Sequence, residues 1–198
     1  MENDDERKSS HNEENSKKIV ITGTHNRYQI KKLTTEKQPP KKRTIVDTEW
    51  KNLQPNLLTF AENINNLKKL DELQSTEKKA LPEDLRIFAT QIERKLNSYK
   101  HQDIEKEMYD SNKLIKFGET IEKLIECELL CFYCKREMYI LYEYVRENNQ
   151  WTLDRIDNDI GHHRDNVIIS CLECNLKRRR QNKDKFNFTK NLKINKSD

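Results

Sequence analysis

Two C-x2-C pairs constrain this chain more than any other feature: Cys131 and Cys134 in CFYC, and Cys171 and Cys174 in CLEC. The 36 residues from Lys135 to Ser170 separate them. Four thiolates paired in this way make one tetrahedral zinc site, each pair supplying two ligands about one turn apart. Four sulfurs close the coordination sphere and leave no position for a substrate, so the zinc is expected to be structural. The spacer exceeds the roughly 15–20 residues of a simple zinc ribbon, so a folded element, a β-hairpin, is expected to fill it. Cys127, four residues before Cys131, competes as a ligand on spacing alone; a free thiol is its expected state. An odd, clustered set of cysteines behind a charged start, MENDDERKSS, argues for reduced thiols rather than a disulfide framework.

Composition limits how much of the chain can be packed. Of 198 residues, 33% are hydrophobic and 36% charged, against about 45–50% apolar in an ordinary globular domain. Residues 1–45, rich in Asn, Glu, Asp, Lys and Ser and ending in the basic patch KQPPKKR, are expected to be a disordered charged segment. No run approaches the roughly 18–20 apolar residues of a spanning helix, so no membrane contact is expected. The expected location is intracellular, with the nucleus or a viral replication site left open.

Residues 46–126 read as a helical region. Leu57, Phe60, Ile64, Leu67 and Leu70 form one apolar stripe after Pro55; Leu85, Phe88, Ile92, Leu96 and Tyr99 form a second after Pro82, Glu83 and Asp84. A third helix is expected through Ile104 and Met108 to Leu114, with Gly118 interrupting it before Ile121, Leu124 and Ile125. These helices are expected to bury one another and support the cysteine-bearing part of the chain, with a homodimer through this region as the alternative.

The period changes after Cys127. The stretch from Met138 to Val145, then Trp151–Ile156, then Val167–Ile169, read as short strands, and Cys174–Arg180 as a helix. The expected class is α+β, with a small zinc-bound domain over 127–182 and a basic tail over 183–198. From Glu173 to Asp198 there are nine Lys/Arg against three Asp/Glu, a net +6, which leaves −2 over residues 1–172. Such polarity suits a polyanion.

Between the cysteine pairs lies WTLDRIDNDIGHHRDNVIISC, and directly after them NLKRRR. Asp154 offers an anionic oxygen at a strand end and Asn175 a neutral one on the first turn of the cysteine-anchored helix. Hard divalent cations such as Mg2+ prefer such ligands. Arg178 and Arg179, one turn on, share the helix face and are suited to phosphate. Gly161 is the only glycine after residue 118, and a positive φ is its expected reason.

C-x2-C, then LDRID, then Gly161-His162 with Asn166 four residues on, then C-x2-C-N, resembles the HNH or ββα-metal endonucleases. It is most similar to zinc-clipped versions found in phages and large DNA viruses. The resemblance spans about Cys131 to Arg180 and says nothing about residues 1–126. It implies a ββα-metal domain in which Asp154 and Asn175 hold a catalytic Mg2+ or Mn2+ and Asn166 ties the loop backbone. It also exposes a departure. Arg155 stands where the family's general-base His is usual, and a guanidinium cannot accept a proton. His162, directly after the glycine, is then the expected base, with His163 next, and Arg155 is expected to hold phosphate.

Two functions are expected on these grounds. One is a metal-dependent endonuclease acting on DNA with little sequence specificity. The other is a zinc-stabilised nucleic-acid-binding module that keeps the fold without the cleavage.

Overall fold

The apolar stripes become helices where the spacing places them, in a computed structural model that describes residues 39–51, 53–73 and 77–192. A short helix α1, Thr44–Thr48, precedes a 3-10 turn, Pro55–Leu58, and α2, Phe60–Glu72. Thr59 caps α2 by accepting the Glu62 N–H on its hydroxyl. Helix α3, Glu83–Glu105, comes after Pro82, and Glu83 and Asp84 place negative charge in its first turn, where the helix dipole favours it. Helix α4 is Phe117–Glu126.

The third helix is not as expected. Helix α3 stops at Glu105 because Glu107 takes φ 57° and the Met108 N–H turns back to the Asp103 carbonyl at 2.8 Å. Ile104, counted in the apolar stripe, is 47% exposed. Gly118 does not interrupt a helix; it lies in the first turn of α4.

Strands β1, Trp151–Arg155, and β2, Val167–Cys171, pair antiparallel in register from Trp151↔Cys171 to Arg155↔Val167. Helix α5, Leu172–Arg178, begins on the next residue, with Cys171 as its N-cap. The chain is therefore α+β, with a two-stranded hairpin leading straight into a helix. The expected strand over Met138–Val145 does not form. The Ile140 and Leu141 N–H groups bind the Asn63 side-chain oxygen at 2.8 and 3.2 Å, so they have no ladder to join, and only single bridges remain at Tyr139 and Tyr144.

The expected tail continues the fold. Helix α6, Lys183–Asn191, is capped by the Asn182 side chain, and its Phe186 packs edge-on against Tyr133 with ring centroids 4.9 Å apart. The expected disorder of residues 1–38 falls outside the described residues. From Pro40 the chain belongs to one compact unit. Arg43 is fixed within it, donating to the Tyr142 carbonyl and the Gln91 side chain.

One core runs through the helices and the hairpin. Leu67, Phe88, Ile92, Ile121 and Leu124 join Met138, Ile140, Trp151, Leu153 and Val167, all essentially inaccessible. Trp151, fully buried, is the largest of these, and truncation to Ala is expected to cost about 3–5 kcal/mol. Lys95 of α3 ties the helices to the hairpin by donating to the Trp151 carbonyl, with its ammonium over the Trp151 ring. Burial, reinforced by the charge of Arg43, pushes its pKa well below the ordinary lysine value.

Candidate metal centre and its surroundings

The four cysteines converge. The Sγ atoms of Cys131, Cys134, Cys171 and Cys174 all lie within 4.8 Å of one another. The first pair sits on a knuckle in which the Cys131 N–H bonds the Arg136 carbonyl and the Lys135 N–H returns to the Cys131 carbonyl, both at 2.9 Å. Lys135 makes the turn possible with φ 56°. The second pair comes from the end of β2 and the first turn of α5, and the Phe132 N–H bonds the Ile169 carbonyl to bring the knuckle against β2.

This donor set fits zinc. A tetrahedron with Zn–S of about 2.3 Å has S···S edges of about 3.8 Å, and Cys134 Sγ and Cys171 Sγ are 3.8 Å apart. The Cys171 N–H and the Arg136 Nε point at Cys131 Sγ and Cys134 Sγ at 3.3 and 3.4 Å, which offsets the excess negative charge of four thiolates. Arg136 is itself paired with Glu173, whose carboxyl is lowered to about 2 by hydrogen bonds from Lys177 and Arg136. Cys127 is outside the cluster; its thiol donates to the Leu124 carbonyl, and burial pushes its pKa up to about 11.

Asp154 and Asn175 meet at the junction of β1 and α5, but not around an open space. Asp154 is 2% exposed. Its Oδ1 accepts from Arg178 Nη2 at 2.7 Å, and its Oδ2 accepts from Arg178 Nε and from the Tyr133 hydroxyl, each at 2.8 Å. The Asn175 amide donates to the Thr152 hydroxyl at 3.1 Å and the Leu153 carbonyl at 3.4 Å. These residues do not fit a Mg2+ or Mn2+ site, because the guanidinium already neutralises the one carboxylate and blocks approach to it. Arg178, expected to hold phosphate, is corrected to an internal partner: it is 1% exposed and also donates to the Gln181 and Arg155 carbonyls.

The loop between the strands is tied from within and from α3. Asn166 accepts the Asp157 N–H and donates to the carbonyls of Asp157, Ile160 and Gly161. Gly161 does not have the expected positive φ. Its reason is close approach: a Cβ there would stand 2.5 Å from the Met108 carbonyl oxygen and 2.9 Å from Asp103 Oδ2. His162, expected as the base, is 3% exposed, with Nδ1 at 2.7 Å from Asp103 Oδ1 and its ring 4.5 Å from the Tyr99 ring. Asp103 holds Nδ1, so the expected role as activator of an attacking water falls to Nε2 alone, on a side chain of which 4% is exposed. His163 is half-buried, and among the described residues its Nε2 has no hydrogen-bond partner.

Arg155 and Arg179 remain accessible and share a groove of about 420 Å³ with Lys106, Met108, Asn158, Asp159 and Arg180. Asp103, Lys106 and Tyr133 were not legible as site residues. Asp103 and Lys106 lie at the end of a long charged helix with no motif around them, and Tyr133 passes as filler between two cysteines.

Comparison with known proteins finds no matching family model, no matching curated protein and no matching solved structure. Among the described residues, no helix is long and apolar enough to cross a membrane.

Proposed function

We propose that this chain is a nucleic-acid-binding protein built on a zinc-clipped ββα unit of HNH type, and that the unit binds without cutting. The observation that carries this reading is the pairing of Asp154 with Arg178. A divalent cation would have to displace a buried guanidinium, and leaving a buried charge without its partner costs about 3–5 kcal/mol. Proton transfer is poorly served as well: Arg155, permanently charged, stands where the resembling family carries its base, and Asp103 occupies Nδ1 of His162, which leaves only Nε2 on a side chain 4% exposed.

Binding is supported by the charge left at the surface. Lys177, Arg179, Arg180 and Lys185 are exposed on and after α5, within the segment that carries the net +6. Zinc held by the four cysteines would supply only structure, fixing Cys171 and Cys174 and thereby the start of α5. Such cations, without a set of base-reading side chains, give affinity for the phosphate backbone with little sequence preference.

The second reading, a metal-dependent DNA endonuclease, is favoured by one observation: Asp154 and Asn175 do share the strand–helix junction. It requires Arg178 to leave.

Binding of a duplex oligonucleotide across a salt series tests the proposal. The expected result is an affinity that falls steeply between about 50 and 200 mM salt and changes little with sequence. No measurable binding at low salt would overturn it.

A further inference from the structure

The end of the helical region meets the basic surface at a groove. Lys106 caps the C-terminal end of α3, Arg155 ends β1, and Arg179 and Arg180 come directly after α5. Four cations from three separate segments line it, against one carboxylate, Asp159, which is paired with Arg180. Lys106 has no ion pair among the described residues, and its ammonium is close enough to His162, as is the Arg155 guanidinium, to disfavour charge on that imidazole. Arg155 uses one nitrogen on the Met108 sulfur and the Ile160 carbonyl, which fixes the guanidinium at the groove wall.

The backbone supports the same placement. Arg179 has φ 53° and ψ −118°, a conformation that suits glycine, and the Asn158 side chain holds its carbonyl at 3.4 Å. A non-glycine residue kept in such a region is strained, and strain of this kind concentrates where a side chain must be aimed. Here it turns the chain after α5 so that Arg179 and Arg180 line the groove.

We infer that this groove seats a backbone phosphate of the bound nucleic acid, with Lys106 as a contact contributed by the helical region. The inference rests on the binding reading above and gives the helices a part in it beyond support. Phosphate there would meet cations from both sides, which a flat basic tail does not offer. Arg179→Gly relieves the backbone and removes the contact in one change, so stability and binding should move in opposite directions.

Fluorescence anisotropy of a labelled oligonucleotide, as duplex and as single strand, tests this with wild type, Lys106→Ala, Arg179→Gly and, as a control outside the groove, Lys69→Ala. The expected result is a several-fold loss of affinity for Lys106→Ala and Arg179→Gly, with the salt slope reduced by about 0.9 per lost contact on duplex or about 0.7 on single strand. Lys69→Ala should match wild type, and Arg179→Gly should melt at a higher temperature. If wild type binds and Lys106→Ala and Lys69→Ala are equally unaffected, the groove is not the seat, and the binding reading survives alone. If wild type binds neither form, both fall.

Discussion

The carboxylate of Asp103, near the end of α3, holds His162 twice: Oδ1 lies 2.7 Å from the imidazole Nδ1, and Oδ2 accepts the His162 backbone N–H at 2.7 Å. The helix thereby fixes the loop that joins the two strands, and the Ile115 N–H completes the tie on the His162 carbonyl. Replacing Asp103 by Ala leaves both donors unsatisfied in a buried place. The expected loss is about 1–3 kcal/mol, read as a lower urea midpoint, with faster amide exchange between residues 156 and 166. A variant with unchanged midpoint would show that the loop holds itself.

His162 also sets a pH dependence. Burial lowers its pKa, outweighing the attraction of Asp103, and the charges of Arg155 and Lys106 add to the lowering. The folded protein therefore takes up this proton at lower pH than the unfolded chain, so the stability contributed is present above about pH 6.5 and lost as pH falls below it. Loss of zinc at low pH affects wild type and His162→Gln alike. The difference between their urea midpoints should shrink as pH drops from neutral; a difference that grows would mean the imidazole is protonated in the fold.

Arg178 and Asp154 form a buried pair whose members depend on each other. Arg178→Ala and Asp154→Ala should each destabilise by about 3–5 kcal/mol, while the double change Asp154→Leu with Arg178→Met should be far closer to wild type. Chemical denaturation of the three proteins checks this. Equal losses in the single and double variants would mean that the pair is not the source.

The cysteine cluster should hold one zinc per chain. Cys171→Ser is expected to lose zinc and unfold the hairpin with α5, whereas Cys127→Ser should keep zinc and fold. Elemental analysis beside near-ultraviolet circular dichroism, where Trp151 reports, distinguishes the two. Zinc lost on changing Cys127 would place it in the ligand set.

Spacing alone carried much of this structure. The stripes at Phe60–Leu70 and Leu85–Tyr99 became α2 and α3 because their period matches one helix face, with Leu57 left in the 3-10 turn before α2, and the cysteine pairs met because thiolate spacing of this kind has few uses. Tertiary partners decided the rest. Met138–Val145 reads as a strand by residue type, yet Asn63, 77 residues before Ile140, takes its N–H groups. Asp154 and Arg178 were each legible as charged site residues, but a motif gives no hint that two of its members bind one another. The clamp of Asp103 on His162 joins a helix without a motif to a loop with one.

Incubating zinc-loaded wild type with supercoiled plasmid, with Mn2+ or Mg2+ and with EDTA, tests the central claim most directly, with Asp154→Ala as the comparison once circular dichroism and elemental analysis show that it is folded and holds zinc. The account predicts a retarded but intact plasmid in every condition. Metal-dependent nicking by wild type that disappears in Asp154→Ala would contradict it, and would mean that Arg178 gives way to the cation.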